Sequence, residues 1–133
     1  MADCDPRPYQ IDLNEWPNVI TSELPGPKSQ EMHAKACQSI KGLSGQVRLF
    51  PVVFEKGFGC TMEDVDGNKY IDFSSGIYVT TLGHCHPKVS EAVARHANSL
   101  MNCHDFNTPV KVALLEKLAE VQPWDLTGMQ LYD

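Results

Sequence analysis

An α/β fold is predicted from three features of the sequence. Behind Pro87, apolar residues recur at helical spacing (Val89, Ala92, Val93, Ala97, Leu100 and Met101), and proline sits at the first helical position, where its missing N–H costs nothing. Upstream, residues 43–73 change period: Val52-Val53-Phe54, residues 60–65 and residues 69–73 are rich in β-branched and aromatic side chains, as in a small antiparallel sheet. Between the last two lies Asp66-Gly67-Asn68, residues that tolerate the positive φ of a tight hairpin with primed geometry.

Residues 1–28 hold five of the nine prolines, which fix φ and remove donors, so an extended arm laid over a surface is expected. Its apolar residues Tyr9, Ile11, Leu13, Trp16, Val19 and Ile20 are expected to make core contacts rather than to cover a ligand. Residues 29–41 predict a short helix, with Met32, Ala36, Cys37 and Ile40 on one side and Gly42 as its stop. Gly57-Phe58-Gly59 is read as a break in the sheet region. Thr108-Pro109 opens a further helix as cap and first residue, with Val110, Leu114, Leu115, Leu118 and Val121 as its apolar face, and it stops before Pro123. Residues 128–133 read as a strand whose partner strands are not supplied.

At 133 residues the chain is long enough to bury a core, and its formal charge of −6 disfavours nucleic acid and favours a small metabolite as partner. No apolar run approaches the roughly 20 residues that span a bilayer, and the first residues lack a basic segment followed by an apolar one. A soluble chain that is not exported is expected. Cys4, Cys37, Cys60, Cys85 and Cys103 are odd in number, widely separated and without a Cys-x-x-Cys pair. That pattern argues against a disulfide framework or zinc ribbon and for reduced thiols in the cytoplasm.

Three local patterns invite chemistry. Asp64-x-Asp66-x-Asn68 resembles the first half of a calcium loop, but Lys69 stands where glycine is needed and Ser75 where glutamate is needed. His84-Cys85-His86, with Cys103-His104 downstream, could in principle ligate zinc. Gly83 and Pro87 argue instead for a corner whose imidazoles bond backbone groups at a helix start. A nucleophilic cysteine beside a histidine is the third pattern, and nothing around Cys85 or Cys103 has a thiol-protease signature. No metal site is therefore expected.

Taken together, Asp64-Val65-Asp66-Gly67-Asn68-Lys69-Tyr70-Ile71-Asp72-Phe73-Ser74-Ser75-Gly76-Ile77 and Leu82-Gly83-His84-Cys85-His86-Pro87-Lys88-Val89 closely resemble the N-terminal part of class III pyridoxal-phosphate aminotransferases. Leu24-Pro25-Gly26-Pro27-Lys28-Ser29 is similar to the lead-in of the branch acting on 4-aminobutyrate and other ω-amino compounds. Leu118-Ala119-Glu120 and the final residues fall where the family has its second helix and first large-domain strand. The resemblance implies the N-terminal part of the type I PLP-dependent aminotransferase fold. Residues 1–28 would be an arm, 29–83 the N-terminal part of the small domain, and 84–133 the start of the large pyridoxal-phosphate-binding domain. It also implies a homodimer with active sites at the subunit interface and ping-pong transfer of an amino group from an amine or ω-amino acid to a 2-oxo acid.

Residue by residue, the resemblance carries over little. Ile77 and Tyr78 match the segment that passes the substrate pocket, the other reading being packing under the small sheet. Phe106 lies near the stretch sent toward the partner's active site and is the third substrate-binding candidate. No catalytic or cofactor-binding residue is assigned. The phosphate-binding turn, the aspartate beneath the pyridine nitrogen and the lysine that holds the cofactor covalently are expected after Asp133. This stretch by itself is therefore expected neither to hold the cofactor covalently nor to transaminate. A non-catalytic relative that docks on a full-length aminotransferase is the alternative.

Overall fold

The computed structural model describes residues 17–40, 42–124 and 128–131. They fall into two compact units, one up to Ser90 and one from Glu91. In the first, three antiparallel strands lie in the order β1-β2-β3: β1 (Phe54–Phe58), β2 (Thr61–Asp64) and β3 (Lys69–Ile71). Phe58 faces Thr61 and Lys56 faces Glu63, with a register slip between Phe54 and Lys56, and Thr61 faces Ile71 in the second pair. The cross-strand Lys56–Glu63 ion pair, at 3.0 Å, reinforces the first pairing.

The sheet is present as predicted, with two corrections. β1 runs through Gly57 and Phe58, so the expected break there does not occur. Gly57 marks a close approach instead, since a Cβ on it would stand 3.0 Å from the Cβ and Cγ of His84. The second hairpin has a four-residue loop, in which only Gly67 takes positive φ (+88°), rather than primed geometry. Asp64 replaces that geometry with its own oxygens: Oδ1 accepts from the amides of Asp66 (2.9 Å) and Asn68 (2.8 Å), and Oδ2 from Asn68 Nδ2 and Tyr70 Oη, both 2.8 Å. Burial, reinforced by this carboxylate, pushes the Tyr70 phenol above its ordinary range. The Tyr70 ring meets Phe50 and Phe54 edge-on.

From this loop the arm and the first helix are held in place. Asn68 Oδ1 accepts from the amides of Ile20 (2.8 Å) and Thr21 (3.0 Å) and from the Thr21 hydroxyl (3.1 Å), while Asn18 and Lys69 exchange both backbone bonds. The described end of the arm, at Asn18, pairs with the β3 edge. Its grip is polar, however: Val19 and Ile20 stay exposed, and Tyr9, Ile11, Leu13 and Trp16 lie outside the described residues.

The first helix, α1 (Pro27–Cys37), starts two residues earlier and ends four residues earlier than predicted. Its start is set by Asp66, whose carboxylate takes the amides of Lys28 (2.8 Å) and Ser29 (2.9 Å), an N-terminal cap supplied from 37 and 38 residues away. Its end is set by i to i−3 bonds at Gln38 and Ser39, which tighten the last turn. Met32, Cys37 and Ile40 are exposed, and Ser29 is the buried position. A short helix that the sequence reading missed, α2 (Gly45–Leu49), is capped by Ser44.

Beyond the one-turn element α3 (Ser75–Tyr78), α4 (Pro87–Ala97) begins at the predicted proline, and Leu100 and Met101 lie past its end. In the second unit α5 (Pro109–Val121) opens as predicted, with the Thr108 hydroxyl accepting from the Lys111 amide at 3.1 Å, and it ends before Pro123. Residues 128–131 form no strand, because no described backbone pairs with them; Tyr132 and Asp133 lie outside the described residues.

Replacing Asn68 by alanine removes the acceptor that holds the arm and leaves its donors exposed to water. At about 1–3 kcal/mol for lost bonds of this kind, the Ile20 and Thr21 amides should exchange roughly five- to 150-fold faster. The Val65 amide, bonded to the Val53 carbonyl at 3.0 Å, should keep its protection; unchanged exchange at Ile20 and Thr21 would contradict the clamp.

Candidate functional site

The segment after β3 is where the chain departs furthest from regular structure. The Asp72 amide donates to the Cys60 carbonyl at 2.8 Å, which anchors the segment to the β1–β2 turn. Asp72 Oδ1 then accepts from the amides of Ser74 (2.8 Å) and Ser75 (2.9 Å), turning the chain sharply. Residues 75–78 are left-handed: φ is +52° at Ser75, +59° at Gly76, +60° at Ile77 and +66° at Tyr78. Such a conformation costs about 1–2 kcal/mol at each residue with a Cβ. Hydrogen bonds within the turn offset part of it, from the amides of Tyr78 to Ser74 O and of Val79 to Ser75 O, with the Ser75 and Thr80 hydroxyls 3.1 Å apart.

The chain returns through Gly83, whose φ of +91° and whose closeness to Gly59 exclude a side chain, since a Cβ would lie 3.0 Å from Gly59 Cα. His84 then exchanges two backbone bonds with Gly59, at 2.8 and 3.0 Å. Its ring lies with Nε2 2.7 Å from Asp72 Oδ2. The His84 hydrogen bond holds the Asp72 carboxyl below its usual range; burial opposes this, and the Ser75 and Ser74 amides assist it. Asp72 is thus an ionised acceptor, 3% exposed, and His84 Nε2–H donates to it.

This corrects the expectation that both imidazoles bond backbone at the helix start. His84 bonds a carboxylate, and it is the His86 carbonyl that takes the Val89 and Ser90 amides, both at 2.9 Å. His86 Nδ1 is buried without a partner beside a cleft of about 230 Å³, lined by Val79, Thr80, Thr81, Leu82, Gly83, Cys85, His86, Val89 and Ser90. The calcium-like oxygens of Asp64, Asp66 and Asn68 are turned toward the chain's own donors. Among the described residues no three His, Cys, Asp or Glu side chains gather as a metal site would require, and Cys37, Cys60, Cys85 and Cys103 are unpaired.

Of the residues singled out from sequence, Ile77 and Tyr78 stand side by side on the left-handed turn, 72% and 82% exposed, so neither packs under the sheet. Phe106 belongs to the second unit, in the loop between α4 and α5, its amide 3.3 Å from the Cys103 carbonyl and its ring 78% exposed. The Asp72–His84 pair escaped the sequence reading: twelve residues separate its members, and no local spacing announces them.

The Aminotransferase class-III family matches residues 43–130, a span that holds both the sheet and this turn, so the chain belongs to that family. An alanine/serine racemase of Pyrococcus horikoshii is 34% identical over 122 residues, covering 89% of this chain and 25% of the relative. An acetylornithine aminotransferase of Methanocaldococcus jannaschii is 42% identical over 76 residues, covering 56% of this chain and 19% of the relative. Among solved structures, the ornithine aminotransferase of Toxoplasma gondii, described with PLP at partial occupancy in its active site, is similar with a TM-score of 0.60. It is 32% identical, over 69% of this chain and 21% of that one. The fold is accordingly that of the N-terminal part of these aminotransferases. The chain spans a quarter or less of the length of these relatives.

The depressed Asp72 carboxyl has a defined pH signature. Its contribution to stability is fully present above the ordinary carboxylate range and is lost as pH falls through its own lowered value. Asp72→Asn should therefore be less stable than the parent at pH 7, and the gap should narrow toward pH 3 in urea denaturation. A gap that is constant with pH would contradict the ionised pair.

Proposed function

We propose that this chain is the N-terminal part of an enzyme that uses pyridoxal phosphate to move an amino group from an ω-amino acid or amine to a 2-oxo acid. The observation that carries this reading is the family match across residues 43–130, which includes the left-handed turn that holds Ile77 and Tyr78 outward. Two of the similar proteins are named for acetylornithine and ornithine, compounds of the ω-amino class. The lead-in at residues 24–29 favours the 4-aminobutyrate branch within it.

In this reading residues 1–28 are an arm, 29–83 contribute to the small domain and 84–133 begin the large domain. Ile77 and Tyr78 form an apolar wall beside the transferred amine, and Phe106 reaches toward the partner subunit's site. The remainder of the aminotransferase and a second copy of it cover the apolar side chains left open here, such as Phe73 at 92% exposure. Among the described residues no helix is long and apolar enough to cross a membrane, and a cytoplasmic location agrees with the cysteine pattern.

The described residues do not by themselves fit the cofactor. A phosphate group needs converging N–H donors or cations. The cleft at residues 79–90 is lined by neither lysine nor arginine, and the converging amides at residues 28–29, 66–68 and 74–75 already serve Asp66, Asp64 and Asp72. Pyridoxal phosphate is therefore held mainly by residues outside this chain, and no chemical step is assigned to the residues described.

The decisive experiment uses the complete enzyme, supplied with a 2-oxo acid and a set of amines. Amino transfer consumes the 2-oxo acid, whereas racemisation, the activity in the Pyrococcus relative's name, leaves it untouched and inverts the amino acid. Ile77→Trp should change the ratio of kcat/KM between a short and a long amine by about tenfold or more. An unchanged ratio would remove Ile77 from the pocket, and an enzyme that is inactive with every amine and 2-oxo acid would favour the docking-module alternative.

A further inference from the structure

We infer that Asp72 and His84 are a positioning pair: together they lock the Ser75–Tyr78 turn in its left-handed form and so set where the proposed amine-pocket wall stands. The inference rests on the pocket reading given above for Ile77 and Tyr78. Three bonds to one carboxylate carry it. Oδ1 takes the amides of Ser74 and Ser75 at 2.8 and 2.9 Å, fixing the first residues of the turn, and Oδ2 is 2.7 Å from His84 Nε2.

His84 is itself held by separate contacts. Its backbone is pinned to Gly59 at 2.8 and 3.0 Å, and its ring lies against Gly57, where a Cβ would come within 3.0 Å. The sheet therefore fixes the histidine, the histidine fixes the aspartate, and the aspartate fixes the turn. Such a chain is what a strained turn requires. Ser75, Ile77 and Tyr78 all carry side chains at positive φ, a state that relaxes unless its surroundings determine it. The Ile77 and Tyr78 side chains are exposed and pack on little that could hold them, so beyond the bonds within the turn the restraint comes from its entrance. The structure points from an observed conformational outlier to a role, and the role is placement rather than contact with substrate.

Two measurements test this. In the full chain, the strong intraresidue HN–Hα NOE diagnostic of positive φ at Ile77 and Tyr78 should disappear in His84→Ala while cross-peaks between β2 and β3 persist. It should return in His84→Gln, whose side-chain amide reaches to about where Nε2 stood. In the complete aminotransferase, His84→Ala should raise KM for the amine about fivefold or more with little change in kcat, and His84→Gln should recover it. Retained NOEs in His84→Ala would overturn the inference. So would an unchanged KM in an enzyme whose amine preference does respond to Ile77→Trp, the pocket reading itself surviving. If neither substitution moves amine preference, the pocket reading has failed and the positioning role falls with it. Should His84→Ala lose the β2–β3 cross-peaks, Asp72→Asn, which keeps an oxygen for the Ser74 and Ser75 amides, decides by the same readings.

Discussion

The β2–β3 loop, and through it the grip on the arm and the start of α1, depend on the buried Asp64 carboxylate. Its four donors close the β2–β3 loop and present Asn68 so that Asn68 Oδ1 can hold the arm. The same loop aims Asp66 at the first amides of α1, whose Ser29 hydroxyl accepts from the Val53 amide at 3.3 Å. Among the described residues only Gly26, Ser29, Asp64 and Asn68 are buried as whole residues, so the centre of this unit is a polar network. Such a network organises rather than drives folding. Its net contribution per bond is modest, but each member left unpaired costs the full desolvation of a buried group.

A second carboxylate repeats the device at the other end of the sheet. Asp72 gathers two amides and an imidazole, as Asp64 gathers two amides, a carboxamide and a phenol. The first centre builds the scaffold and the second builds a departure from it, the left-handed turn. Glycines mark the places where backbone and ring come too close for a side chain: Gly26 against Asp66, Gly57 against His84 and Gly83 against Gly59. Among the described residues apolar burial is scarce, and Phe73, Ile77, Tyr78 and Leu82 are exposed.

Sequence reading succeeded where the physical signal is local. Pro87 and Thr108-Pro109 start helices because a missing donor and a capping hydroxyl act within one turn, and Pro123 bounds the last helix for the same kind of reason. It failed where the determinant was distant. The start of α1 depends on Asp66, the close approach at Gly57 involves the His84 ring, and no spacing near either residue reports the partner. The oxygen-rich Asp64-x-Asp66-x-Asn68 was a true signal of convergence on something positive, but the positive groups turned out to be the chain's own amides.

By itself the sequence determined the class of fold and the family resemblance, because periodicity, turn residues and ordered motifs are properties of neighbouring positions. Only the tertiary structure decided which carboxylates are buried, how the arm is gripped and why Ile77 and Tyr78 face outward rather than into the sheet. Those outcomes rest on hydrogen bonds between residues as far apart in the chain as Asn18 and Lys69, formed once loops and strands bring them within about 3 Å, and a linear chain carries no record of that distance.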